Sequence, residues 1–318
     1  MAEIGKDIVK AKKLLEEGKL VAVPTETVYG LAGNALNSAS VIKIFEAKNR
    51  PYFDPLIVHV PDTGAVKNYA DEIPSDATLL MKEFWPGPLT LLLNKKNNIP
   101  DLVTSGLDRV GIRIPNHPIT NELLKSLDFP LAAPSANPFG YVSPTRPEHV
   151  NEQLGDKIDY ILDGGECKVG IESTIVGFEN NKGVVYRVGG LSVEKIELII
   201  GNVKVQTHSS SNPQAPGQLI NHYAPLKQLK VGNIKKMLTE YTGRIGVLSF
   251  QTRYSSPQII EQIILSTEGN LEEAAQKLFS ALRQLDKSSA EIILTEEAPE
   301  FGLGRAINDR LRRASAKS

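Results

Sequence analysis

The residues of this chain able to do chemistry are fixed cations and hydroxyls at strand ends and in turns. The stretch FEAKNRPYFDPLIVHV, residues 45–60, sets Lys48 and Arg50 beside Pro51 and interrupts an apolar strand with His59. Basic residues suit helix C-termini and prolines stop helices, so one reading is purely structural; the other is one wall of an anion site. In RVGIRIP, strand alternation puts Val110, Ile112 and Ile114 on one face and Arg109, Gly111 and Arg113 on the other. An arginine in mid-strand between apolar neighbours needs a partner, because an unpaired buried charge is costly. That partner is either an anionic ligand or a structural carboxylate, and VVYRVGG raises the same question for Arg187. PTETVYG places Thr25, Glu26 and Thr27 where the strand LVAV ends, as a capped turn or as part of a site. Ser135, Asn137 and Ser143 in LAAPSANPFGYVSPT, and Ser173 and Thr174 in GIESTIV, read singly as turn chemistry, and His59 singly as a satisfied sheet histidine. Taken with Thr104, the set Lys48, Arg50, Arg113, Arg187, Thr25, Ser135, Ser143 and Ser173 suits a reaction carried by positioning and charge neutralisation. Phosphoryl or nucleotidyl transfer is of that kind.

Other chemistries find no support. The sequence holds no G-x-x-x-x-G-K-[ST], and GLGRAI at residues 302–307 has Ile307 where a dinucleotide fingerprint needs its third glycine. No metal-ligand cluster and no defensible Ser-His-Asp order appears. Cys167 is the single cysteine, which excludes an intrachain disulfide and a cysteine-based zinc site and fits a reducing compartment. Lys plus Arg number 36 and Asp plus Glu 37, so the chain has no global electrostatic footprint for nucleic acid or an anionic membrane. The start, MAEIGKDIVKAKKLLEEGKL, is charged and amphipathic rather than a signal peptide, and no apolar run is long enough to span a bilayer. A cytoplasmic location, with no membrane partner, is the expectation.

The elements that must position these residues follow from periodicity. Residues 7–17 carry apolar side chains at helical spacing with Gly18 as the stop. LVAVP, LIVHV, LTLLL, RVGIRI, PLAAP, YILD, STIVGF and VVYRV read as strands, with ALNSASVIKIFEAK and ITNELLKSL as helices between them and SVEKIELIIG as a last helix near residue 201. Strands interspersed with helices argue for an α/β domain with a mixed sheet over residues 1–205. Residues 206–228, rich in Ser, Asn, Pro and Gly, read as a linker long enough to be functional. From 229 to 318 follow the strands GRIGVLSF, IIEQIILS and EIILTEE, the helix NLEEAAQKLFSALRQLD with a capping-box-like Asn270 and Glu273 and with Leu271, Ala274, Ala275, Leu278, Phe279, Leu282 and Leu285 on one face, and a terminal helix RAINDRLRRAS. This is a second, small βα-alternating domain, and no internal repeat links the halves.

PTETVYGL, KNRP, PLIVHV, WPGPLTLLL, VTSGL, VGIRIP, APSAN, VSPT, DGG, ESTI, YRVGG and HYAP, in that order, resemble the threonylcarbamoyl-AMP synthase family in its two-domain form. The likeness covers most of the first 225 residues and is more specific there than in the second domain, which matches in its βα layout and in GLGRAINDR. It implies a YrdC-like twisted mixed sheet with a large concave face, and a small Rossmann-like C-terminal domain. It implies that L-threonine, bicarbonate and ATP, with Mg²⁺, give threonylcarbamoyl-AMP and pyrophosphate, a nucleotidyl transfer. A separate downstream transferase then uses the product to modify tRNA. Carried over residue by residue, it assigns Thr25, His59, Arg113, Ala133 and Ser173 to threonine, with Arg113 as the carboxylate clamp. It assigns Lys48, Arg50, Asp54, Thr104, Ser135, Asn137, Ser143, Arg187, His222 and Tyr223 to ATP, with Lys48 and Arg50 as the catalytic cations; it does not assign metal ligands. It also implies that the linker folds over the open face as a lid.

Two departures stand out. Many two-domain relatives carry Asn where this chain has Asp54, and a carboxylate repels a phosphate unless a metal lies between. Asn221 precedes His222 where relatives often have a basic residue. The alternative reading is an RNA-binding YrdC-like module without adenylate synthesis, against which the near-neutral charge counts, and stable nucleic-acid binding is not expected. Carbamoyl transfer in hydrogenase maturation also uses a YrdC-like domain, but with cysteine-rich zinc modules that one cysteine cannot build.

Overall fold

The structure, a computed structural model, describes residues 1–206, 215 and 222–316. In the first part of the chain the strands are β1 (Glu3–Gly5), β2 (Val21–Val23), β3 (Gly30–Asn34), β4 (Ile57–His59), β5 (Leu89–Asn94), β6 (Arg109–Arg113), β7 (Leu131–Ala132), β8 (Tyr160–Leu162), β9 (Thr174–Glu179), β10 (Lys182–Arg187) and β11 (Lys204–Val205). They form one sheet in the order β1-β8-β2-β3-β7-β4-β6-β5-β9-β10-β11. Parallel pairs such as β4 with β6 and β5 with β9 mix with antiparallel ones such as β3 with β7 and β5 with β6. The mixed sheet read from the sequence is therefore present. β2 is buried throughout, which is why its sequence reads as an apolar run, and β4 and β6 are buried almost throughout although they end on His59 and Arg113.

Register does the positioning. β4 and β6 run parallel with His59 opposite Arg113, so the two side chains stand side by side on one face. The helix Ser38–Lys48 is capped by Asn37 and ended by Asn49 in the left-handed conformation (φ 51°). That stop places Lys48 in the last helical turn and releases Arg50 into the turn that leads to β4.

The second unit is a four-stranded all-parallel sheet of β12 (Gln228–Val231), β13 (Ile245–Ser249), β14 (Ile259–Ile264) and β15 (Ile292–Thr295), in the order β12-β15-β13-β14. This is the Rossmann-like layout expected. Asn270 caps the helix Leu271–Lys287 by accepting from the Glu273 amide at 2.9 Å, and the apolar stripe read from the sequence is the buried one. β12 and the helix Ile234–Glu240 were not anticipated, because their short segments carry little periodicity.

The two units share an interface rather than a tether. Arg283 donates to the carbonyls of Val142 and Ser143 and, at 2.9 Å, to Gln153 Oε1, while the Tyr141 hydroxyl reaches Asp286 at 2.6 Å. Gly170 (φ 79°) lies so close to the helix Leu271–Lys287 that an added Cβ would strike the backbone of Gln276. Most of the linker, residues 207–214 and 216–221, lies outside the described residues. Ala215 is fully buried in a cluster with Ile57, Leu92, Ile175, Val184 and Tyr186, so at that point the linker lies on the large sheet.

Candidate active site

A cavity of about 570 Å³, mouth included, opens on the face of the large sheet where β4 and β6 end. Of the residues singled out from the sequence, Thr25, Arg50, His59, Arg113, Ala133, Ser135, Ser173, Arg187, His222 and Tyr223 line it, although they come from segments scattered over most of the chain. Lys48, Asp54, Thr104, Asn137 and Ser143 do not line it; all are buried.

The buried residues off the lining have structural partners. Lys48 Nζ donates to the carbonyl oxygens of Ser135 and Asn137, both at 2.5 Å, so it ties the end of its helix to the loop that carries Ser135. Burial, with the nearby Arg50 charge, pushes its ammonium well below the ordinary lysine range. Asn137 braces the same loop through the carbonyls of Pro138 and Tyr141, and Thr104 bonds back to Asp101 at the end of a short helix. Asp54 is paired with Arg50, Oδ2 to Nη2 at 2.9 Å, with the two side chains 0% and 5% exposed. Its charge is therefore spent on a guanidinium.

The open question about Arg113 is also resolved by a carboxylate. Nη2 meets Glu26 Oε1 at 2.7 Å, Nη1 donates to Thr27 Oγ1 at 2.9 Å and Nε to the Gly87 carbonyl at 3.2 Å. Nε and Nη1 are thus engaged as donors and Nη2 is held by its charge against Glu26, on a guanidinium that lines the cavity. Thr25 does what a capped turn requires, accepting from the amides of Thr27 and Val28, while also lining the cavity. Burial and then the adjacent Arg113 charge push His59 down to about 3, so the imidazole is neutral at physiological pH.

Glu172 organises the far side. Its Oε1 accepts from the Ser143 hydroxyl at 2.5 Å and its Oε2 from Arg310 Nε at 2.9 Å. Burial pushes its carboxyl up, but Arg310 and Arg187 outweigh burial and hold it below the usual carboxylate range. Arg187 donates to the Ser173 carbonyl and, at 3.1 Å, to Ser173 Oγ, which shares a hydrogen with Thr90 Oγ1 at 2.7 Å. Gly189 of YRVGG permits this packing, since an added Cβ would run into the Glu172 carbonyl. Glu26, Thr27, Glu172 and Arg310 were not assigned from the sequence. The signal was the arginines themselves, since several buried guanidiniums require buried carboxylates, and Glu26 and Glu172 adjoin residues already singled out.

His222 and Tyr223 close the cavity from the linker side. Their rings meet edge-on at 4.2 Å, His222 abuts Phe139 at 5.6 Å, and Tyr223 stacks on Phe279 of the second domain at 5.7 Å. Burial, then Arg50 and Lys48, push His222 well below its ordinary range. Among the described residues no group of three or more His, Cys, Asp or Glu is arranged to hold a metal ion. Glu172 in the lining, and Asp54 and Glu26 behind Arg50 and Arg113, are each already engaged by an arginine. Among the described residues, none builds a seat for a resident Mg²⁺.

A neutralised but cation-rich cavity on a mixed α/β sheet, completed by a second parallel α/β unit, defines a binder of anionic small molecules. The comparisons place it within a family. Residues 13–189 match the Sua5_yciO_yrdC family model, described as telomere recombination, and residues 191–316 match the threonylcarbamoyl-AMP synthase C-terminal domain. The threonylcarbamoyl-AMP synthase of Pyrococcus abyssi is 40% identical over 96% of this chain and 93% of its own. That of Bacillus subtilis is 39% identical over 97% and 92%. The crystal structure of P. abyssi Sua5 complexed with L-threonine superposes with a TM-score of 0.92 at 38% identity, covering 99% of this chain and 97% of that one. This chain belongs to the threonylcarbamoyl-AMP synthase family, in its two-domain form. Among the described residues no helix is long and apolar enough to cross a membrane.

Proposed function

We propose that this chain makes threonylcarbamoyl-AMP and pyrophosphate from L-threonine, bicarbonate and ATP, as an L-threonylcarbamoyladenylate synthase of the nucleotidyltransferase class, in the cytoplasm. The observation that carries the reading is one cavity whose lining brings together His59, Arg113 and Ser173 with Arg50, Arg187 and Ser135. Threonine's carboxylate pairs with the guanidinium of Arg113, which Glu26 and Thr27 hold in place at the cavity wall. Neutral His59 beside it adds no charge to compete for that carboxylate. Arg50, whose Nε and Nη2 are held by Asp54 and Pro55, keeps its Nη1 donors for the triphosphate.

Threonine's amine captures carbon dioxide or bicarbonate as a carbamate, whose oxygen attacks the α-phosphorus as the bond to pyrophosphate breaks. Arg50 and Arg187 offset the charge that builds on the leaving group, and no side-chain nucleophile is required. Mg²⁺ enters as part of the MgATP substrate, bound chiefly through the phosphates. His222 and Tyr223 exclude water from the labile carbamate and adenylate. Lys48, Asn137 and Ser143 position the residues that line the cavity. The product passes to a separate tRNA threonylcarbamoyl transferase. The test is pyrophosphate release with threonine, bicarbonate, ATP and Mg²⁺ omitted one at a time. Release should need all four, and equal release without threonine would sink the assignment.

A further inference from the structure

The last helix of the second domain delivers a cation to the wall of the cavity. Arg310 lies in the helix Gly304–Ser315, is 0% exposed and is among the largest fully buried side chains. Its Nε donates to Glu172 Oε2 at 2.9 Å, its Nη1 to Asp309 Oδ2 at 2.6 Å, and its guanidinium lies 4.8 Å from the centre of the Tyr223 ring. Glu172 and Tyr223 both line the cavity, and they come from different segments of the chain. Arg310 itself does not line it.

Each contact addresses a problem created by the site. Glu172 is a buried carboxylate beside the space assigned to a polyanion, and without Arg310 only the Ser143 hydroxyl and the weaker influence of Arg187 would offset its charge. Tyr223 has φ 66°, a left-handed backbone that a bulky residue keeps only where its surroundings over-determine it. Phe279 on one side and Arg310 on another supply that determination, and both belong to the second domain.

We propose that Arg310 is a positioning residue of the active site: the second domain uses it to neutralise Glu172 and draw it back from the triphosphate, and to fix Tyr223 over the cavity. The second domain thereby completes a site whose reacting groups lie in the first. This rests on the adenylate-forming reading given above for the identity of the anion.

The experiment uses the full chain with Arg310→Met, Arg310→Lys, and Arg310→Met combined with Glu172→Gln, each at matched folded concentration checked by thermal unfolding. Pyrophosphate release is measured with ATP varied at saturating threonine, then with threonine varied at saturating ATP. Arg310→Met should raise KM for ATP about ten- to a hundred-fold, the range of a lost charge-assisted interaction, and leave KM for threonine nearly unchanged. Arg310→Lys should recover part of the loss. Adding Glu172→Gln to Arg310→Met should recover more, because it removes the carboxylate that Arg310 no longer holds. A merely structural role predicts no such rescue. Calorimetric binding of inorganic tripolyphosphate across the same series reads the charge effect without turnover, so it stands even if threonine-dependent release fails in the unaltered protein. If Arg310→Met does not fold, Arg310→Lys with and without Glu172→Gln carries the same comparison. An unchanged KM for ATP and unchanged tripolyphosphate affinity would overturn the proposal, as would equal losses toward both substrates or no rescue by Glu172→Gln.

Discussion

Asp54 is an internal competitor for the cation assigned to ATP, and replacing it should separate stability from binding in opposite directions. Its carboxylate lies 2.9 Å from Arg50 Nη2, with both side chains at most 5% exposed. Removing one partner of a buried pair costs about 3–5 kcal/mol, because the other charge is left uncompensated. Asp54→Asn keeps an oxygen acceptor, so the lower end, about 3 kcal/mol, applies. At roughly 2–4 °C per kcal/mol for a domain of this size, the ligand-free protein should melt about 6–12 °C lower. With the competing carboxylate charge gone, a triphosphate oxygen can displace the neutral amide from Arg50, and a charge-assisted contact there is worth about 1.5–3 kcal/mol. MgATP should accordingly bind the variant about ten-fold more tightly or better, and raise its melting temperature by more than it raises that of the unaltered protein. Differential scanning fluorimetry with and without MgATP, and calorimetry for Kd, give both quantities. An unchanged melting temperature would refute the buried pair. A lower melting temperature with unchanged or weaker ATP binding would refute the competition, and collapse of activity with a raised Mg²⁺ requirement would put Asp54 on the metal instead.

Three further outcomes follow from the same geometry. Arg113→Ala should mainly impair threonine use and Arg50→Ala mainly ATP use, each by about ten- to a hundred-fold in steady-state kinetics; the same loss toward both substrates in both variants would abolish the division of roles. Alanine at His222 and Tyr223 together should leave a folded protein that forms the adenylate poorly, measured at matched folded concentration, and full activity would reduce the linker to a spacer. The fold should weaken in acid: His59 is pushed from 6.5 down to about 3, so the unfolded chain binds a proton that the folded site refuses. That stabilisation is complete above pH 6.5 and is lost as pH falls toward 3, about 2 kcal/mol of it by pH 5. Denaturant unfolding at pH 7.5 and pH 5 of the protein and of His59→Gln checks this, since the substitution should reduce the dependence by that share and leave the part due to His149 and His222, which burial also holds low.

What the sequence by itself determined is local. The periodicity of Leu271 to Leu285 with Asn270 as cap defined a helix whose buried face is the one read, because a repeat near 3.6 and a capping side chain act within a few residues. The turn residues of KNRP, PTETVYG and ESTI marked the positions that the fold brings to one cavity, since strand ends and helix stops are written in neighbouring residues. Only the tertiary structure decided which partner each cation meets. Arg113 finds Glu26 from another strand end, and Arg310 finds Glu172 across 138 positions and a domain boundary. His59 and Arg113 stand together because of a parallel register that neither segment encodes alone. Lys48 and Asp54, assigned to ATP by the resemblance, find their protein partners in a loop and in Arg50. Charge pairing depends on distance in space and on burial, and both are set by the packing of the whole chain rather than by sequence neighbours.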